Sequence, residues 1–516
     1  MICCRSFVAL MLLAGSFTAW GSDPYWAYTY KDIDVMAVGG ADRAKDIAHN
    51  LHRLDRAIGV ALRLQAQEWR PPTRVFAVPQ TTFDLFWKKG GMPISSSYYG
   101  SSFASVILID ASVDRDTPYF DAYYGYANSV LVNAYPQRLP LWYRTGFAQV
   151  FGASKITHDK VTIGGYVAGR VLPLLDRDWI PVKALFSIQR KDPQLAAADY
   201  VSHYQAECWF LTHQVLIEQI YRKSFADYFS RLDAGEDESS AFSESFSISH
   251  EDLDKELRAA LTRGLIKLAE VKVPDEPDSA EPHRLSESEA KGRLARLAAA
   301  HATETGGAIE LANQALAGDP KNEDALLALA QVQLRLHEWP SALQAAQRVC
   351  VSSPSSANAA RQCASIYARI LYAGAAKNPS LGLDAHALAD QSRKYYETAL
   401  TLDPEELEAW SGMAMLLTRT RDVENAKSFL PGAKHAWAMH STNEDLSRSL
   451  SGLCAVTGDF DTAIKFAQVW QKYALTGESS VAADAYLSRL RTFAEQKQFN
   501  EMPPLGTVQP AGGSTP

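Results

Sequence analysis

The sequence predicts two architectures in series: an α+β N-terminal domain, then an all-α superhelical array of repeated helix pairs. Three observations lead there. Up to about Val271 the chain mixes helix-spaced apolar residues with short β-branched runs. Residues 272–289 then turn acidic and proline-rich, and beyond them Ala and Leu at helical spacing dominate. In that second half Asp319-Pro320 and Ser353-Pro354 stand 34 residues apart, the period of a two-helix repeat.

In the first domain (residues 22–271), apolar residues at helical spacing (Ile47, Leu51, Leu54, Ile58, Ala61) predict a helix over Lys45–Gln65, ending before Pro71-Pro72. The runs Arg74–Val78 and Ser105–Asp110 read as short buried strands. A longer helix is expected over Tyr200–Tyr221. At 272–289 the sequence Val273-Pro-Asp-Glu-Pro-Asp-Ser-Ala-Glu-Pro282 reads as a linker too poor in apolar residues to fold. The repeat domain occupies 290–495, and 496–516 read as a disordered tail.

The N-terminus reads as a signal peptide over residues 1–21. Arg5 precedes an apolar run from Phe7 to Ala14, and Ala19-Trp20-Gly21 offers a small-x-small cleavage site. Leu13-Ala14-Gly15-Ser16 has Ser where a lipoprotein would need the Cys that is lipidated. No later stretch reaches the ~18 apolar residues of a membrane helix. The expected product is exported, periplasmic or otherwise extracytoplasmic, and soluble, with no transmembrane segment once the signal is removed. Cys208, Cys350, Cys363 and Cys454 remain in it, too few for a disulfide scaffold. Cys350 and Cys363 fall on successive antiparallel helices, so one bridge is open to them; buried free thiols are the simpler state. A net charge of −8 without a long Lys/Arg run gives no general attraction to phosphate backbones, so nucleic acid is not an expected partner.

Between the two Pro-marked boundaries, Leu326, Leu329, Ala330, Ala342, Val349 and Pro354 keep one internal spacing. A second register runs through Trp410, Met413, Ala414, Leu417, Ala426 and Ala433, preceded by Tyr396, Ala399 and Asp403-Pro404. A third includes Leu450, Ser451, Gly458-Asp459-Phe460 and Ala463, and a weaker leading unit ends in Ala308, Ala312, Ala315 and Pro320. Small residues let antiparallel helices approach, and large ones fill the neighbouring unit. Over about Leu294–Ala474 the chain resembles the tetratricopeptide repeat (TPR) family, with an insertion at Ala373–Ala387. The resemblance implies a curved groove that binds extended peptides or partner proteins. Gln331, Ser411 and Arg448, on first helices, are its candidate binding residues.

The most specific stretch is Tyr124-Gly-Tyr-Ala-Asn128 followed by Leu139-Pro-Leu-Trp-Tyr-Arg-Thr-Gly-Phe-Ala148. It resembles the peptidase MA-like, gluzincin-type metallopeptidase family, whose pattern is His-Glu-Tyr-x-His, a turn, then Leu-Pro-Leu-Trp-x-x-Glu-Gly-x-Ala. Tyr126, Leu139, Pro140, Leu141, Trp142, Gly146 and Ala148 match it, over a resemblance covering about Asp42–Leu268. The family implies a Zn²⁺ held by two His four apart and a Glu on the next helix, with the first Glu as general base. Here Tyr124 and Asn128 stand at the His positions, Gly125 at the base and Thr145 at the third ligand. One residue must be inserted near Gln137, but no His lies between His52 and His158, so no register restores the site. Loss of a general base alone costs on the order of 10²- to 10⁴-fold in rate, and loss of the ligands removes the Lewis acid as well. The expectation is a non-catalytic domain without metal or cofactor.

Other chemistry is thin. His203, Glu207 and His213 share one predicted helix, but the two His are roughly 15 Å apart along it, too far to share an ion. The aromatic runs Tyr98–Phe103 and Tyr119–Tyr126 fit either a peptide-binding cleft or core and turn filling. No phosphate-binding loop, dinucleotide fingerprint, nucleophile elbow or paired-Cys zinc spacing occurs. The sequence thus points to a cell-envelope binding or scaffold protein with a protein or peptide partner in the repeat groove. The competing reading is an active metallopeptidase or other hydrolase with a non-standard site.

Overall fold

The computed structural model describes residues 24–64, 72–86, 96–101, 103–112, 119–134, 139–166, 168–175, 178–189, 192–264, 266–274, 276, 278–301, 305–474 and 477–496. The expected signal peptide, most of the expected tail and the insertion near Gln137 lie outside them.

The first domain begins with β1 (Trp26–Tyr30) and β2 (Ile33–Ala37), then α1 (Ala41–Leu62), β3 (Thr73–Val78), the single turn α2 (Gln80–Phe83), β4 (Ser96–Gly100) and β5 (Ser105–Asp110). Next come α3 (Phe120–Ala134), α4 (Leu141–Gly152), a small antiparallel pair β6 (Lys155–Ile156) and β7 (Lys160–Ile163), α5 (Ala168–Val171) and α6 (Val182–Ser187). The domain continues through α7 (Ala198–Leu216), α8 (Arg222–Asp233), α9 (Glu238–Ser245) and α10 (His250–Thr262). β8 (Ala269–Lys272) joins β7, and β9 (His283–Arg284) joins β1.

The main sheet has the order β4-β5-β3-β2-β1-β9, with β2, β3 and β5 parallel and β4 antiparallel at one edge. Period-two alternation divides its residues between two cores. Val35, Ala37, Val75, Ala77, Ile107 and Ile109 face a core with α1, α3, α4 and α7. Ala27, Met36, Phe76, Val78 and Leu108 face the opposite way, into a core shared with the first helices of the array. Both faces are therefore buried, which is why β3 and β5 read as continuous apolar runs rather than alternating ones.

The array consists of α11 (Glu287–His301) with α12 (Gly306–Gly318), α13 (Glu323–Arg335) with α14 (Trp339–Ser352), and α15 (Ala357–Tyr372) with α16 (Ala385–Leu402). Then follow α17 (Leu407–Thr420) with α18 (Val423–Met439), α19 (Glu444–Val456) with α20 (Phe460–Tyr473), and a closing α21 (Gly477–Gln496). Side chains of Asn322, Ser356 and Asn443 cap the first helices α13, α15 and α19, each accepting from a backbone N–H three residues on. Asp384, Asp422 and Asp459 do the same for the second helices α16, α18 and α20. Each cap contributes about 1 kcal/mol and fixes where a helix begins. Ala330, Ala342, Ala414, Ala426, Ala433 and Ala463 are fully buried, so the small residues of the repeat pattern sit where helices cross. The insertion forms two short 3₁₀ turns, Ala375–Lys377 and Pro379–Leu381, before α16.

Two expectations change. The segment 272–289 is not a free linker but a strap laid on the first domain. Val273 is buried and its N–H donates to the Asp159 carbonyl (2.8 Å), Lys31 pairs with Glu276 (3.1 Å), and the Tyr28 hydroxyl donates to Asp278. Leu285 then buries its side chain and donates its N–H to Tyr25 (2.9 Å). Counting apolar residues missed this because strand pairing and charged contacts, not a core of its own, hold the strap. Secondly, Cys350 of α14 and Cys363 of α15 form a disulfide (S–S 2.06 Å) rather than remaining as thiols; Cys208 and Cys454 are free and buried.

Candidate functional site

Tyr124 and Asn128 lie one turn apart on α3, and Thr145 lies on α4, which packs against α3. Their surroundings do not suit an ion. The β4 edge strand is tied to α3 by the Ala122 N–H, which donates to Ser96 Oγ (3.1 Å). This draws Tyr98 across Gly125 so closely that a β-carbon there would stand 2.2 Å from the Tyr98 Cγ. The phenol is anchored beyond by its hydroxyl, 2.7 Å from Ser105 Oγ. An acidic side chain at the position of the general base thus has no room.

The third-ligand position is closed from the other side. Gly146 lets α4 approach α7 until a β-carbon would meet the Cys208 carbonyl at 2.0 Å. Thr145, 9% exposed, is faced by Tyr204 of α7, with Tyr124 and Cys208 close by. Burial pushes the Tyr204 phenol and the Cys208 thiol far up, so neither ionises at neutral pH. Tyr, Gly, Asn and Thr offer no strong Zn²⁺ donor set, and the space belongs to packed rings. The residues present do not fit the metal.

The histidines of α7 do not converge. His213 is fully buried, its Nε2 lies 2.8 Å from the Lys267 carbonyl, and burial lowers its pKa, so it is a neutral packing group. His203 bonds the Asp199 carbonyl on its own helix (3.1 Å). Glu207 accepts from the Ile180 N–H (2.8 Å), and burial pushes its carboxyl up to about 8. Among the described residues no group of three or more His, Cys, Asp or Glu is placed to hold a metal ion.

The array wraps the first domain with its first helices. Arg293 of α11 pairs with Asp34 of β2 (3.2 Å), His301 stacks on Tyr99 of β4 (4.2 Å between ring centres), and Phe103 at the β4–β5 turn packs on the apolar cluster of the later repeats. At the far end Lys472 of α20 reaches Asp233 of α8 (2.5 Å). The expected binding residues take different places. Ser411 is buried, its hydroxyl placed between the Asp445 carbonyl (3.3 Å) and Ser449 Oγ (2.9 Å), so it joins α17 to α19 and is not presented to a ligand. Arg448 pairs with Asp445 (2.5 Å) and lies over the Trp470 ring. Gln331 is half-buried on α13. One open recess, of ≈ 820 Å³, lies at the C-terminal ends of α15 and α17, lined by Tyr372, Lys377, His386, Arg393 and Arg419 among others. Sequence reasoning missed it because it lies beside the insertion, where the repeat pattern lapses.

The helix pairs, their caps and the 34-residue register define a TPR-type array mounted on an α+β domain. No protein-family model matches the chain, and no curated protein matches it. Solved structures similar to it include a thermophilic TPR protein of Thermus thermophilus (16% identity, 40% of this chain and 99% of that one, TM-score 0.32). PilW, a type IV pilus biogenesis factor, is similar at 17% identity over 43% of this chain and 99% of its own (TM-score 0.33). Yeast Tom70 is similar at 14% identity over 63% and 71% (TM-score 0.32). Among the described residues no helix is long and apolar enough to cross a membrane.

Proposed function

We propose that this is an exported binding protein of the cell envelope. In this reading a catalytically inactive metallopeptidase-like domain serves as the frame on which a TPR-type array is wound, and the array receives a protein partner in its open recess. The observation that carries the non-enzymatic half is Tyr98 seated over Gly125, with Thr145 closed in by Tyr204. The binding half is supported by the recess, where Tyr372 and Arg419 are of residue types enriched in interaction sites. Export is supported by the N-terminal sequence and by the Cys350–Cys363 disulfide, a bond that persists in oxidising compartments.

Two experiments test this. A photo-crosslinking residue at Lys377, in the recess, should capture one reproducible envelope protein, whereas the same residue at the exposed Lys427 on α18 should not. Equal capture from both positions would remove the recess as the binding site. Metal analysis and a peptide-cleavage assay on the purified chain should give neither stoichiometric zinc nor chelator-sensitive cleavage, and either result would return the protein to the peptidases.

A further inference from the structure

β2 and β3 are parallel neighbours joined through α1, so α1 starts at the edge of the sheet where β2, β3 and β5 all end. The Val38 N–H still donates to the Ala77 carbonyl (3.0 Å), and the chain then turns into α1 through Gly39 and Gly40. Both have positive φ, 91° and 102°, where a side chain would be strained. Gly40 is the N-cap of α1 and brings no side chain to it. Among the described residues the N–H groups of Ala41, Asp42 and Arg43 donate to no protein acceptor. Space lies open beside the cap, since a β-carbon on Gly40 would meet no atom within 4 Å. Arg43 covers the other side of the turn. Its side chain folds back over Gly39, where a β-carbon would stand 3.1 Å from Arg43 Cδ and 3.5 Å from Nη1. Arg43 is only 8% exposed, yet its Nε and Nη2 are buried without a hydrogen bond, and among the described residues it forms no ion pair. Asp42, the acidic residue of the first turn, is exposed and does not neutralise it. A desolvated, unpaired guanidinium is costly, and here it adds to the positive end of a 22-residue helix.

We propose that the Gly39-Gly40 turn, the first N–H groups of α1 and the Arg43 guanidinium form a binding site for a phosphate group. A strand, a glycine turn and an uncapped helix start present backbone donors and the positive end of the helix to one point in space. The buried guanidinium supplies a fixed charge beside it. A tetrahedral phosphate turns oxygens to the helix end and to the guanidinium fork at once, whereas the two coplanar oxygens of a carboxylate serve only one of them fully. The charges also match: a phosphate monoester carries about −1.5 to −2 at neutral pH, against one guanidinium and a helix end worth about +0.5. The phosphate can be the free ion or the headgroup of a lipid, which present the same oxygens to the site. This site lies in the first domain, apart from the recess of the array, so its fate leaves the binding reading above untouched.

The test uses the purified full chain, dialysed free of phosphate, with inorganic phosphate as the probe. Isothermal titration should show saturable binding of a single phosphate per chain, and none of acetate at the same ionic strength. Phosphate at about ten times its Kd should also raise the melting temperature. Arg43→Met removes the charge and nearly keeps the length, so it should weaken phosphate by about tenfold or more. The same variant should melt higher than the phosphate-free parent, because no buried charge is left without a partner. Ala41→Glu leaves Arg43 in place and sets a carboxylate at the mouth of the turn, and it should weaken phosphate by a similar factor. Lys427→Met, on α18, is the unaffected control. Dihexanoyl phosphatidic acid bound more tightly than inorganic phosphate would assign the site to a lipid headgroup, and the reverse order to the free ion; either order supports the site. No saturable phosphate binding, equal binding of acetate, or parental phosphate affinity in Arg43→Met and Ala41→Glu overturns it.

Discussion

Tyr98 and Gly125 fit together as ring and socket: the ring of one occupies the space that any side chain on the other would need, down to 2.2 Å from a would-be β-carbon. A glutamate side chain has no room there. Gly125→Glu should destabilise the protein by about 3 kcal/mol or more, since overpacking and a buried carboxyl act together. Adding Tyr98→Ala should recover part of that loss. Urea unfolding of the two single variants and the double variant would measure the coupling, and strictly additive losses would show that the two residues do not share one space.

The Cys350–Cys363 bond closes a short loop between α14 and α15, with a sequence separation of 13. Replacing Cys363 with Ser should lower stability by about 2–3 kcal/mol. Thiol titration of the unfolded, unreduced chain lacking residues 1–21 should find the thiols of Cys208 and Cys454 alone. Additional thiols in protein isolated without reductant would contradict the bridge.

Two buried groups should tilt the pH profile in opposite directions. Glu207 has its pKa raised to about 8 by burial, so between about 5 and 8 the folded chain keeps a proton that the unfolded chain releases. Its contribution to stability is whole at low pH and fades as pH rises through that range. Glu207→Gln, which keeps an oxygen for the Ile180 N–H, should raise stability at pH 8 by on the order of 1–3 kcal/mol and flatten the alkaline side. Melting curves at pH 5.5 and pH 8, run on both proteins, read this directly.

His301 works the other way. Burial lowers its pKa to about 4, so it stacks on Tyr99 as a neutral ring while the unfolded chain takes up a proton below about 6.5. The stacked contact is whole above that value and is lost as pH falls towards 4. His301→Phe should keep the stacking and remove this acid sensitivity, seen as a smaller drop in melting temperature between pH 7 and pH 4.5. An unchanged drop would assign acid sensitivity elsewhere.

Much of this was legible in the residues. The predicted helix over Lys45–Gln65 is α1, the two apolar runs are β3 and β5, and the buried alanines of the repeat pattern mark the helix crossings. β1 and β2 were not legible: Trp26–Tyr30 and Ile33–Ala37 are five residues each, and they form a hairpin whose turn, Lys31-Asp32, carries no glycine or asparagine to mark it. Nor could spacing show that Tyr98 reaches Gly125, because that contact joins an edge strand to a helix through the fold. Ser411 shows the limit of reasoning from repeat position: the register places it correctly on a first helix, but whether its hydroxyl meets a ligand or a neighbouring helix depends on packing.

The sheet face formed by Ala27, Met36, Phe76, Val78 and Leu108 waits for cover that is encoded far downstream, in α11. The nearly 200 positions from Leu108 to Leu297 must all emerge, from a ribosome or an export channel, before that cover can form. During that interval a greasy surface and an unpaired strand edge are both on show, the edge because β9 arrives only with His283 and Arg284. Biogenesis of this chain therefore has a vulnerable window whose length is set by gene order. A holding chaperone that shields this face until α11 has emerged would act there with greatest effect.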